Sequence, residues 1–136
     1  MPVYDTKTGL PAGLAQGQGH SGALTVVCFC AAWCDTCGAF RESFERIAGA
    51  RPREMFIWLD IEDDSAICGD IDIENFPTLA VYEGERLLHY GVSLPQEGTV
   101  ARLIDELATR GAASLGAPQP VLDLPRAMAS AAAASR

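Results

Sequence analysis

Positive charge is scarce in this chain of 136 residues. Ten Lys and Arg stand against eighteen Asp and Glu, which gives a formal net charge of −8 at pH 7. Phosphate backbones and anionic lipid surfaces are bound through clustered basic side chains. The charge balance therefore argues against both partners, and we expect neither nucleic acid nor a membrane to bind.

Long apolar runs are missing as well. No uninterrupted apolar stretch approaches the ~18 residues that a membrane-spanning helix needs. Residues 1–13 do not show a basic cluster followed by an apolar segment, which is the pattern of a secretory signal. We therefore expect a cytoplasmic protein.

Cysteine is the informative residue type. The chain contains five: Cys28, Cys30, Cys34, Cys37 and Cys68. An odd number in a chain of this length is not typical of a secreted disulfide framework. Four of the five fall within ten residues, and in a reducing compartment such clustering indicates redox chemistry or metal binding.

The hydrophobic pattern predicts alternating strands and helices. Residues 24–30 form a nearly continuous apolar run, typical of a strand buried on both faces. Residues 35–48 place apolar side chains on one helical face. The remaining predicted elements are strands at 55–59, 77–82 and 86–90, a short helix within 63–72, and a last helix opened by a capping box from Ser93 to Gln96. This order predicts an α/β fold, a three-layer α/β/α sandwich with a mixed central sheet.

The composition changes after Gly111. Residues 111–136 contain three prolines, few large apolar side chains and a run of alanines. These features predict one domain over residues 1–110 and a flexible C-terminal tail over residues 111–136.

The segment Cys34-Asp35-Thr36-Cys37 lies where the buried strand gives way to the helix. The unpaired N–H groups and the dipole of a helix N-terminus favour a thiolate, so we expect Cys34 to have a lowered pKa and to attack disulfides. Cys37, one turn further, is then the resolving thiol. Two other interpretations of the pair are core cysteines and half of a zinc site.

Residues 24–107 resemble the thioredoxin family. The resemblance is carried by Trp33 directly before the C-x-x-C motif and by Phe76-Pro77 some forty residues later. It implies a thioredoxin-like fold and a thiol–disulfide oxidoreductase that reduces protein disulfides through a Cys34–Cys37 pair. It also implies a monomer that uses no bound cofactor and draws electrons from a reductase or a small thiol.

The same resemblance implies three substrate-binding residues. Pro77 is expected to be a cis-proline that packs against the disulfide, and the backbone of Phe76 to pair with an extended substrate segment. Trp33 is expected on the rim that faces the substrate.

Several positions depart from the family pattern. The residues between the cysteines are Asp35 and Thr36 instead of Gly-Pro, and a carboxylate beside Cys34 disfavours its thiolate. The buried aspartate of the family is replaced by Cys28, and its partner lysine by Trp58. The acid–base pair that assists the resolving thiol is thus predicted to be missing.

Two alternative functions follow from these departures. One is a thioredoxin-fold binding or adapter module with slow or vestigial redox activity. The other is a thiolate metal or iron–sulfur site, because Cys28 and Cys30 share one face of their strand close to the motif. Small buried core residues are the simpler interpretation of both these cysteines, and Cys68 is interpreted as a bystander.

Overall fold

A five-stranded mixed sheet forms the centre of the molecule in the computed structural model. The structure describes residues 3–7, 9–10, 24–31, 33–69, 71, 73, 75–110 and 117–134. The strands are β1 (Val3–Tyr4), β2 (Thr25–Cys30), β3 (Met55–Asp60), β4 (Thr78–Glu83) and β5 (Arg86–Val92), in the spatial order β1-β3-β2-β4-β5. Strand β2 runs parallel to β3 and antiparallel to β4. All six residues of β2 are buried, which explains its continuous apolar sequence.

Among the described residues, four helices cover the two faces of this sheet. They are α1 (Asp35–Gly49), α2 (Ser65–Cys68), α3 (Glu97–Arg110) and α4 (Gln119–Ala134). Helices α1 and α3 pack on one face, and α2 and α4 supply buried side chains to the other. The prediction of a three-layer α/β/α sandwich with a mixed sheet is therefore confirmed.

Alternation along β2 decides which side chains lie on each face. Cys28 and Cys30 point into the core under α1 and α3, which we call the thiol face. Val27 and Phe29 point into the core under α2 and α4, which we call the opposite face. Successive strand residues point to opposite sides of a sheet, so a two-residue spacing is what keeps the two thiols together.

The start of α3 differs from the predicted capping box. Ser93 does not cap the helix, which begins four residues later at Glu97. The amide of Ser93 instead donates to the carbonyl of Pro77 at 3.0 Å, and its hydroxyl donates to the carbonyl of Leu94 at 3.1 Å. Ser93 is thereby tied to the beginning of β4, too far from the helix to cap it.

The predicted flexible tail is corrected by α4. Residues 119–134 are helical, and four of their side chains are buried on the opposite face: Val121, Leu124, Met128 and Ala132. Their spacing of three and four residues makes one apolar stripe, which compensates for the prolines. The folded unit thus extends beyond residue 110. Residues 111–116 and 135–136 of the predicted tail lie outside the described residues.

Pro125 lies inside α4 and has no backbone N–H to donate to the carbonyl of Val121, four residues earlier. The Tyr82 hydroxyl on β4 donates to that carbonyl instead, at 2.7 Å. A side chain of the sheet thereby satisfies the acceptor that the proline leaves open, which joins α4 to the opposite face.

In the described part of the chain, no helix has the length and apolar character required to cross a bilayer.

Candidate active site

Cys34 occupies the N-cap position of α1. Its backbone is extended, with φ −91° and ψ 114°, and its amide donates to the carbonyl of Ala31 at 3.0 Å. Its carbonyl accepts from the amide of Gly38 at 3.2 Å and so begins the helical hydrogen-bonding pattern. The side chain is half-buried, and Asp35, the first helical residue, is exposed beside it. Cys34 therefore lies at the predicted helix start with partial access to solvent.

Cys37 is one turn into α1 and is almost fully buried. The structure pairs it in a disulfide with Cys30, at the end of β2, and the two Cα atoms are 5.7 Å apart. The implied Cys34–Cys37 disulfide is therefore not the one present, and Cys34 is a free thiol. The assignment of Cys34 and Cys37 as the catalytic thiols stays a prediction. The sequence predicted Cys30 only as a core residue or a metal ligand, so its pairing with Cys37 was missed.

Cys28 lies beside this disulfide and is completely buried. Its Sγ is 3.8 Å from that of Cys30. Because the Cys30 sulfur is bonded to Cys37, the S–H of this contact belongs to Cys28. Burial raises the pKa of Cys28 far above its usual range, although the charge of Arg41 acts weakly in the opposite direction. Cys28 therefore keeps its proton at neutral pH.

The register of the sheet places Cys28 directly opposite Trp58 on β3. The guanidinium of Arg41 lies over the Trp58 ring, 5.1 Å from its centroid, and donates to Glu45 at 3.0 Å. The position expected for a lysine thus carries an aromatic ring that packs under an arginine. These two positions therefore supply neither the carboxylate nor the amine of the acid–base pair that the family pattern has there.

Trp33, directly before Cys34, forms an aromatic pair with Phe76. Trp33 is 65% exposed and makes an edge contact with Phe76, with ring centroids 5.5 Å apart. The Phe76–Pro77 peptide bond is cis, which confirms that part of the expectation. The substrate-binding roles of Trp33, Phe76 and Pro77 remain predictions.

Val92 and Leu94 are two further exposed apolar side chains that the sequence analysis missed. They are 59% and 60% exposed and flank Ser93, whose amide binds the Pro77 carbonyl. Val92 is also the register partner of Thr78, directly after the cis-proline. The sequence signal that could have found Val92 is its place at the end of β5, the strand that pairs with the strand beginning after Pro77.

A cleft of about 330 Å³ opens beside Cys37. The residues around it come from the N-terminal segment, the residue after β2, α1, and the end of β3 with the turn that follows it, and include Lys7, Arg41, Trp58 and Asp60. Open volume with charges of both signs therefore lies next to the buried end of the C-x-x-C motif.

Cys68 lies on the opposite face, away from this cluster. Burial, and to a lesser extent the charges of Asp64 and Asp60, raise the pKa of Cys68 to about 12. Among the described residues, no group of three or more His, Cys, Asp or Glu side chains is arranged to hold a metal ion. The cysteines brought together are thus Cys28, Cys30, Cys34 and Cys37, and two of their sulfurs are bonded to each other.

The order of the elements, the cysteine at the N-cap and the cis-proline together form the pattern that the sequence resembles. Residues 16–106, well over half of the chain, match the family model described as Thioredoxin. The chain belongs to the thioredoxin family. At the level of the family, this membership supports thiol–disulfide oxidoreductase chemistry.

Individual thioredoxins are distant relatives. A thioredoxin of Ophiophagus hannah is 29% identical over 66 residues, which cover 48% of this chain and 63% of that protein. The chain therefore spans less than two thirds of that relative's length. A thioredoxin H-type of Brassica campestris is 26% identical over 85 residues, 62% of this chain and 69% of that protein.

Solved thioredoxin structures share the fold. The oxidised thioredoxin from Plasmodium falciparum superposes with a TM-score of 0.57 at 21% identity, over 71% of this chain and 88% of that one. The germline-specific thioredoxin Deadhead from Drosophila melanogaster gives a TM-score of 0.56 at 17% identity, over 63% of this chain and 82% of that one. At these identities the likeness extends to the fold alone.

Proposed function

We propose that this thioredoxin-family protein reduces disulfides in other proteins, with Cys34 as the nucleophile and Cys37 as the resolving thiol. In the reaction, the Cys34 thiolate attacks a substrate disulfide, forms a mixed disulfide and releases one substrate thiol. Cys37 then attacks the Cys34 sulfur and releases the second, which leaves a Cys34–Cys37 disulfide. A reductase or a small thiol returns the two electrons.

The single observation that carries this proposal is the position of Cys34. It is a free thiol at the N-cap of α1, half-buried, and next to the exposed Trp33. Cys37 lies deeper, with 2% of its surface exposed. A two-step exchange requires an accessible cysteine that attacks the substrate disulfide and a second, deeper cysteine that resolves the mixed disulfide.

Trapping of mixed disulfides tests the two roles. Cys37→Ser should accumulate covalent complexes with protein substrates on non-reducing gels, because no thiol remains to resolve them. Cys34→Ser should trap none, because the inner cysteine is shielded. The opposite pattern of trapping would overturn the assignment.

The adapter alternative is favoured by one observation, the pairing of Cys37 with Cys30. While that bond is present, Cys34 can attack a substrate disulfide and form a mixed disulfide, but Cys37 is not available to resolve it. Turnover separates the two functions: an adapter would form mixed disulfides stoichiometrically, whereas a reductase would reduce many equivalents of insulin with a continuous supply of reductant.

The partners that this proposal requires are proteins with accessible disulfides and a thiol or reductase donor. Substrate segments would bind along Trp33, Phe76 and Pro77, where the exposed Trp33 ring adjoins the nucleophile and contacts the half-buried Phe76. The cytoplasmic location and the monomeric state expected from the sequence are part of the same proposal.

A further inference from the structure

Cys37 has two cysteines within reach, on different elements. Cys34 precedes it by three residues at the start of α1, a spacing that makes side chains neighbours on a helix. Cys30 reaches it from the end of β2, where the Cα–Cα distance of 5.7 Å lies in the ordinary range for a disulfide. One sulfur can bond to only one partner at a time, so the two pairings exclude each other.

We propose that Cys30 is a third redox thiol, which replaces Cys34 as the disulfide partner of Cys37 by thiol–disulfide exchange. Cys37 is then shared between an outer disulfide with Cys34 and an inner disulfide with Cys30. The inference rests on the proposed function, because the outer disulfide is the product of substrate reduction.

The exchange is an isomerisation that needs no oxidant or reductant. The Cys30 thiolate attacks the Cys37 sulfur, the Cys30–Cys37 bond forms, and the Cys34–Cys37 bond breaks with Cys34 as the leaving thiolate. The proton that Cys30 loses is balanced by the one that Cys34 takes up from solvent. The reverse attack, by Cys34 on Cys37, restores the outer disulfide. External reductants can then reduce the protein through Cys34.

Burial makes the two disulfides chemically different. Cys30 and Cys37 are 1% and 2% exposed, so external thiols have no direct access to the inner disulfide. Cys34 is half-buried and free in that state. The oxidised protein thus keeps one accessible thiol, which can enter a mixed disulfide but cannot resolve it through Cys37. The exchange converts a two-thiol reductase into a one-thiol form.

Cys28 provides the matched control for Cys30. It lies on the same strand and the same face, is equally buried, and is 3.8 Å from Cys30. It carries no bond to Cys37 and remains a free thiol. A substitution at Cys28 therefore disturbs the same part of the core without removing the proposed partner of Cys37.

Peptide mapping distinguishes the two pairings directly. The full chain is reduced, reoxidised with the disulfide form of a small thiol, alkylated in denaturant at acidic pH and cleaved with chymotrypsin. Cleavage after Phe29, Trp33 and Phe40 separates residues 30–33 from residues 34–40. The inner disulfide joins these two peptides, whereas the outer one leaves peptide 30–33 alkylated and closes a loop within peptide 34–40.

We expect the joined peptides from the wild type and from Cys28→Ala, and the closed loop from Cys30→Ala. In the native state, the oxidised wild type should alkylate readily at Cys34, whereas oxidised Cys30→Ala should have no readily alkylated thiol. If the oxidised wild type yields no joined peptides, or if Cys30→Ala yields no closed loop, the exchange is overturned.

Insulin reduction by the same variants separates this inference from the proposed function. If the wild type and Cys30→Ala both fail to reduce insulin, the reductase function fails, while the linkage data still decide whether Cys37 has two partners. If both reduce insulin but Cys30 is never linked, only the third thiol is overturned. Unfolding midpoints of the two alanine variants confirm that each one folds.

Discussion

The two faces of the central sheet differ in the contacts that their buried cysteines make. On the thiol face, Cys30 and Cys37 are bonded to each other and Cys28 lies against them. On the opposite face, Cys68 is an isolated buried thiol and Tyr82 binds the backbone of α4. Burial alone therefore does not distinguish these cysteines, because Cys28, Cys30, Cys37 and Cys68 are all buried and only Cys30 and Cys37 are bonded.

The contrast is sharpest for activity, where we expect the largest effect. Cys34→Ser should reduce insulin no faster than the reaction without protein, because the only accessible sulfur of the motif is lost. Cys68→Ser should keep the wild-type rate, because Cys68, the last residue of α2, is buried on the other side of the sheet. A loss of activity in Cys68→Ser at unchanged stability would break the comparison.

The opposite face should dominate in stability. Leu124→Ala removes a fully buried side chain of α4, and such substitutions cost about 2–5 kcal/mol of unfolding free energy. Leu122→Ala is the control in the same helix, because Leu122 is 40% exposed. Denaturant unfolding of both variants measures the difference. Equal midpoints would show that α4 does not pack on the sheet.

A smaller effect is expected at the contact between Tyr82 and α4. Tyr82→Phe leaves the Val121 carbonyl without its donor, which should cost about 1–3 kcal/mol. In the Pro125→Ala background the helix has its own N–H for that carbonyl, so the same substitution should cost less. A double-mutant cycle in denaturant measures this coupling. Additive effects would mean that the tyrosine does not compensate for the proline.

The smallest effect concerns pH. The pKa of Cys68 is raised from 9.0 to about 12 in the folded chain, so folding favours the protonated thiol. The stability that this provides is complete below pH 9 and is lost as the pH rises toward 12. Cys68→Ala should therefore lose less stability than the wild type between pH 7 and pH 10, measured with reductant present. An identical loss in both proteins would contradict the assignment.

Much of the fold could be predicted from local sequence patterns. The buried run of β2 and the amphipathic pattern of α1 gave both elements to within a residue. The N-cap position of Cys34 followed from the junction of the two. These features depend on neighbours in the sequence, which is why periodicity is sufficient to find them.

The features that were missed depend on tertiary contacts. The Cys30–Cys37 pairing joins a strand to a helix across a turn, and spacing within the motif favoured Cys34 as the partner instead. The apolar stripe of α4 was present, but the three prolines and the few large apolar side chains after Gly111 argued against a long helix. The carbonyl that Pro125 leaves open accepts from a hydroxyl 39 residues away in sequence, and no local pattern can reveal that contact.

Asp35 has a consequence for how Cys34 is measured. This exposed carboxylate directly follows the reactive thiol, in a chain of net charge −8. Anionic aromatic disulfides, the usual colorimetric thiol reagents, would be repelled on approach, whereas neutral or cationic pyridyl disulfides would not. Salt at 0.1 M shortens the reach of this repulsion to about 10 Å. A titration with the anionic reagent in dilute buffer would therefore record Cys34 as a slow thiol although it is accessible.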